Sequence, residues 1–238
     1  MIRRTLITLF IVIIGTSCSY RPHTTSHNDT ISATDYYRFD PKPSLHPTKK
    51  EKHLIVIDPG HGGKDPGTKS WDKKHLEKNL NLATALMLMD QLDNLGYRSI
   101  FTRKNDVFIP LVKRATIANE NNGTIFVSIH FNSGLSRKAN GVEIFYFPNA
   151  MHSRVLASNI LSNIITYSAA NSRGVKSSRF TVLKKTSMPA VLVEGGFMSN
   201  PPEMQKLRDP VYLNIIAWGI AKGIDTYLSE YWNTLQGN

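Results

Sequence analysis

The chain has 238 residues, of which 41% are hydrophobic and 20% charged, and it carries a formal charge of +11. That balance is typical of a globular protein long enough to bury one substantial core. The basic excess suits a polyanionic partner such as nucleic acid, acidic lipid or an anionic cell wall, but no Arg-rich helix with interleaved aromatics and no RNA-binding signature occurs, which sets nucleic acid aside.

Residues 1–17 read as a signal peptide. "MIRR" is a basic start, "TLITLFIVIIG" an apolar stretch, and "TSC" a small-residue exit that ends in the single cysteine. The apolar stretch falls short of the roughly 20 residues needed to span a bilayer and fits a secretory segment. Cys18 has no second cysteine to pair with, and its place directly after the leader is that of a bacterial lipoprotein's lipid acceptor. Gly15 stands three positions before it, where the usual lipobox has Leu or Val. Residues 18–52, rich in Ser, Thr, Pro, His, Asp and Lys without periodicity, read as a flexible tether.

Ordered structure is expected over 53–232, with 233–238 a tail. "HLIVID" is a short β-branched apolar run, a buried strand. "EKNLNLATALMLMDQLDNLG" has apolar residues at helical spacing and ends at Gly96. "YRSIFTR" is a second strand, and Pro110 opens a helix over "LVKRATIANENNG". "TIFVSIHF" and "GVEIFYF" are strands, and "SRVLASNILSNIITYSAA" is a helix. "FTVLKK" and "AVLVEGGF" read as further strands, and helices over "PPEMQKLR" and "PVYLNIIAWGIAKGIDTYL" close the chain. Strands alternating with helices predict one α/β domain with a twisted, mostly parallel sheet covered on both faces.

Sites in such sheets lie beyond the carboxyl ends of the strands, where His61, His130 and Glu194 all fall. The stretch "VIDPGHGGKDPG" lacks both the dinucleotide and the P-loop glycine spacing. Its glycines therefore serve to turn the backbone sharply and present one imidazole. His130 ends a buried strand, where an unpartnered ring is costly. Two strand-end histidines with acids nearby point to a metal, and zinc hydrolases commonly use two His and one Glu with an open fourth position. The third ligand is to be found among Glu77, Glu143, Glu194 and nearby aspartates. Glu77 opens the first helix directly after the His61 loop. His75 is a rival, but two positions away it does not share Glu77's helical face. Glu143 alternates with Phe145 and Phe147 and reads as structural. Glu194 lies between an apolar run and a glycine pair, where desolvation raises a carboxyl pKa toward the range useful for a general base. There is no HExxH, no deaminase cysteine pair and no GxSxG.

Over about residues 53–230 the chain resembles the zinc-dependent N-acetylmuramoyl-L-alanine amidases of the AmiC/CwlV type, the Amidase_3 family. "IVIDPGHGGKDPG", "EKNLNLATA", "TRKNDVFIPLVKRATIAN", "IFVSIHFNSG", "GVEIFYF" and "RGVKSSRFTVLKKTSMPAVLVEGGFMSNPPE" match its blocks in order. The resemblance implies a sheet of about six strands flanked by helices, Zn2+ held by His61, Glu77 and His130, and Glu194 as the catalytic glutamate. It also implies peptidoglycan as substrate, cut at the amide joining muramic acid to L-alanine. With the leader it places a monomer in the periplasm or cell envelope, tied to the membrane where Cys18 is lipidated. The segment 149–173 leaves little room for the extra inhibitory helix of activator-dependent members. The competing readings are a catalytically silent peptidoglycan-binding lipoprotein and a zinc peptidase acting on stem peptides.

Overall fold

The structure, a computed structural model, describes residues 49–232. The signal peptide over 1–17, Cys18, all but the end of the tether and the tail 233–238 lie outside the described residues.

Strands form where the sequence concentrates apolar β-branched residues. β1 (Leu54–Pro59), β3 (Ile125–Asn132) and β6 (Ala190–Phe197) are buried along nearly their whole length, as expected of strands covered by helices on both faces. With β2 (Arg98–Phe101), β4 (Val142–Tyr146) and β5 (Ser172–Ser177) they make one sheet in the order β2-β1-β3-β6-β4-β5. β2, β1, β3 and β6 run parallel, whereas β4 is antiparallel to β6 and β5 follows β4. The last two strands therefore enter the sheet from the end at which the others leave it.

The helices are α1 (Glu77–Asn94), α2 (Leu111–Glu120), α3 (Met151–Ser168), α4 (Thr181–Lys185), α5 (Pro201–Leu207) and α6 (Pro210–Tyr227). α1, α3 and α6 cover one face, where Leu80, Leu88, Leu156, Ile160 and Ile216 join Ile55, Ile57 and Val127 in the larger core. α2 and α4 lie on the other, where Ala118, Val182 and Leu183 meet Val56, Phe126 and Leu192. Asn200 and Asp209 accept from the first-turn N–H groups of Glu203 and Val211, capping α5 and α6.

One expected strand is not a strand. "FTVLKK" forms the short helix α4, with Val182 and Leu183 buried side by side against the sheet. The sixth strand is instead β5, "SRGVKS", which carries no apolar alternation because it is an edge strand.

Register fixes what stands at the carboxyl end. His130 pairs with Glu194, and Glu194 pairs with Glu143. The pairing of Pro59 with Ile129 brings Gly60 beside His130, with Gly60 N donating to Ile129 O at 3.0 Å. Gly60, just past β1, and His130, Glu194 and Glu143 on the next three strands thus form one row, on the face that carries α2 and α4.

Candidate metal centre

β1 ends in Asp58-Pro59, and the turn after it is held by two buried arginines. Arg114, 1% exposed, donates to Pro59 O at 2.7 Å and His61 O at 2.6 Å, and pairs with Asp58 Oδ1 at 2.8 Å. Arg103 donates to Pro59 O at 2.9 Å and Gly60 O at 2.8 Å. Asp58 also accepts from Thr102 and from Ser128, so this buried carboxylate is satisfied. The clamp holds His61 at φ +60, a left-handed conformation uncommon outside glycine.

Two of the glycines near His61 leave room for the converging side chains. A Cβ on Gly60 would lie 2.2 Å from the His130 ring, and one on Gly67 would lie 2.5 Å from Glu77 Oε2 and 2.7 Å from His61 Cδ2. At these two positions the side chains of His130, Glu77 and His61 occupy the volume a Cβ would take.

Those side chains converge. His61 Nε2 lies 3.1 Å from Glu77 Oε2, and His130 Nδ1 lies 2.8 Å from Glu77 Oε1. One donor atom from each lies within 4.8 Å of the others, a group able to hold a metal ion. Zinc bonds of about 2.0–2.1 Å in a tetrahedron separate donors by about 3.3 Å, so small movements suffice to accept it. Two imidazoles and one carboxylate are also a donor set that zinc hydrolases use. Glu77 is 4% exposed and further fixed by donation from Thr68 N at 2.8 Å, Phe131 N at 3.3 Å and Asn81 Nδ2 at 3.3 Å. Burial alone would raise its pKa, but the hydrogen bonds from His130 and His61 overcome this and hold it well below the usual carboxylate range. Burial alone would lower His61, but Glu77 and then Asp65 hold its pKa above the ordinary value. Asp65 Oδ2 takes the far nitrogen of His61, Nδ1, at 2.8 Å. A carboxylate behind a ligating histidine fixes the ring and its tautomer.

Glu194 stands next in the row. Its Oε2 is buried with no hydrogen-bond partner among the described residues. Burial first, then the charges of Glu77 and Glu143, push its pKa well above the ordinary value. Of the rivals, Glu143 is engaged by Arg173, Lys176 and Asn132. His75 is buried elsewhere, its backbone N–H on Ser70 Oγ. Sequence reasoning missed Asp65 and the arginine clamp. A signal existed in Asp58, since a carboxylate inside an apolar strand demands a cation.

A family model described as N-acetylmuramoyl-L-alanine amidase, Amidase_3, matches residues 55–226. The chain is 36% identical over 182 residues to the Bacillus subtilis protein YqiI, covering 76% of this chain and 87% of that one. It is 33% identical over 192 residues to a probable cell wall amidase, LytH, of Staphylococcus saprophyticus, covering 80% of this chain but 63% of that protein. Among solved structures, an N-acetylmuramoyl-L-alanine amidase from Clostridium difficile 630 superposes with TM-score 0.74 at 36% identity, over 75% of this chain and 98% of that one. The catalytic domain of CwlV from Bacillus (Paenibacillus) polymyxa does so with TM-score 0.71 at 37% identity, over 74% and 98%.

Proposed function

The chain belongs to the Amidase_3 family and is a peptidoglycan amidase, and from that premise we propose that His61, Glu77 and His130 hold zinc while Glu194 moves the proton in hydrolysis of the bond between N-acetylmuramic acid and L-alanine. The observation that carries this reading is the convergence of three ligand-type side chains on one point with Glu194 the register neighbour of His130.

Bound there, zinc supplies an acidified water and polarises the substrate carbonyl. The chain's residues do the rest. Asp65 and the arginine clamp hold His61 in place, and donation from Thr68, Phe131 and Asn81 holds Glu77. The Glu194 carboxylate takes a proton from the attacking water as its oxygen bonds to the lactyl carbonyl carbon. It returns that proton to the alanine nitrogen as the C–N bond breaks. A carboxylate raised in pKa by burial holds a proton well enough for both tasks.

The partial exposure of His61 and His130, 24% and 18% of their side chains, suits a polymer laid across the surface. We place the protein outside the cytoplasm as a monomer, with the leader over 1–17 directing export and Cys18 as the lipid attachment point. Digestion of purified sacculi tests the reaction. New alanine amino termini and unsubstituted lactyl carboxyls are expected, and termini inside the stem peptide would make the enzyme a peptidase instead.

A further inference from the structure

β5 departs from regular strand geometry at one place. It pairs with β4 through Val142 and Ser172 and then through Ile144 and Val175, so three steps on β5 match two on β4. Such a bulge redirects the side chains around it. Gly174 within it has φ +87, and a Cβ there would meet nothing within 4 Å. Glycine is present for the backbone angle, not for space.

In a regular strand Arg173 and Lys176, three positions apart, would point to opposite faces. Across the bulge both reach the same oxygen, Glu143 Oε2, Arg173 through Nε at 2.9 Å and Lys176 through Nζ. The other Glu143 oxygen accepts from Asn132 Nδ2 at 2.8 Å. Two cations therefore share one buried carboxylate. Glu203 also feels the charge of Arg173, but its two oxygens accept from Gly141 N at 2.8 Å and Phe197 N at 2.7 Å. The Arg173 guanidinium rests 4.8 Å from the Phe197 ring centroid. Both cations remain open to solvent, with side-chain exposures of 37% and 41%. Besides Glu143, Arg173 donates from Nη1 to Asn140 O at a long 3.4 Å, and both exposed cations can turn N–H donors to a further anion.

We propose that Arg173 and Lys176 form an anion subsite that takes a carboxylate of the stem peptide beyond the scissile amide, an inference that rests on the amidase reading. Glu194 pairs with Glu143, and β5 is the next strand out. The backbone of β5 thus stands two strand spacings from Glu194, about 10 Å, and the charged ends of Arg173 and Lys176 reach back from it to Glu143, one spacing from Glu194. An extended peptide advances up to about 3.5 Å per residue, so they lie level with a carboxylate about one to three residues past the cut. β5 is the sheet's edge, so a chain can run out across it.

The test uses the full chain with zinc and two synthetic N-acetylmuramoyl peptides of one sequence. One has its peptide carboxylates free, and the other has them as primary amides. Release of the new amino terminus gives kcat/KM, and the same pair is titrated onto Glu194→Gln protein for Kd. The acidic peptide is expected to be favoured roughly 10- to 100-fold in both readouts, and Lys176→Gln and Arg173→Gln each bring the ratio toward one. Equal values for the two peptides overturn the subsite, as does a ratio that neither substitution moves. If neither peptide releases an amine, the amidase reading fails by itself. The Kd ratio then decides the subsite, with equal binding overturning it and a preference lost in the variants upholding it.

Discussion

Gly60 lies so close to His130 that a methyl group on it would come within 2.2 Å of the imidazole. Gly60 is not among the residues at positive φ, so alanine fits the backbone and the conflict is purely steric. Relieving it to about 3.5 Å moves the ring by more than about 1 Å, whereas metal–ligand distances tolerate about 0.2 Å. Gly60→Ala is therefore expected to weaken zinc binding roughly tenfold or more with the far-ultraviolet circular dichroism unchanged. Competition with a chromophoric chelator measures it, and wild-type affinity would show that His130 is not a ligand.

Asp65 acts one layer behind the site. It grips His61 Nδ1 at 2.8 Å and Gly67 N at 3.1 Å while its own side chain is 41% exposed, so removing it disturbs the core little. Asp65→Ala is expected to lower zinc affinity about 10–100-fold, the range for lost outer-shell partners, and Asp65→Asn, which can still accept the Nδ1 proton, by less. Equal losses in the two variants would mean that charge, not ring orientation, is what Asp65 supplies.

The Asp58–Arg114 pair is the structural anchor of the His61 loop. Arg114→Met strands Asp58 with only hydroxyl partners and leaves the carbonyls of Pro59 and His61 without that donor. Breaking a buried ion pair from one side costs about 3–5 kcal/mol, to be read as a lower urea midpoint in metal-free protein. Combining it with Asp58→Asn should recover part of the loss, and a single-variant loss below about 1 kcal/mol would contradict the anchoring role.

What the sequence made legible follows from how each residue earns its burial. β1, β3 and β6 are covered on both faces, so their apolar runs could be read directly, and their polar terminal residues stood out against that background. "FTVLKK" has strand-like composition, but five helical residues are too few for periodicity to arbitrate, and Val182 with Leu183 satisfies either geometry. β5 was invisible because an edge strand with a glycine bulge buries no apolar stripe. The reversed direction of β4 depends on long-range pairing, not on local composition. Glu143 reads as structural from its alternation with aromatics, but its two cations become adjacent only through the bulge. Asp65 and the arginine clamp act through contacts the chain makes after it has folded back on itself.

Glu77 and Glu194 are both buried carboxylates, and replacing each by glutamine separates their roles. Every Glu77 oxygen accepts from N–H donors or imidazoles, Oε2 from Thr68 N and His61 and Oε1 from His130, Phe131 N and Asn81. An amide nitrogen in either place faces a donor and withdraws the site's negative charge. Glu77→Gln should therefore purify with little zinc and recover activity only in excess metal. Glu194 Oε2 has no partner to offend, and the three ligands stay in place when its proton-carrying capacity is lost. Glu194→Gln should keep about one zinc per chain and lose about 10²–10⁴-fold in turnover, the contribution of a positioned proton-transfer group. Metal analysis alone distinguishes the two before any kinetics. A Glu194→Gln protein without zinc beside a Glu77→Gln protein that retains it would mean that the two roles are reversed.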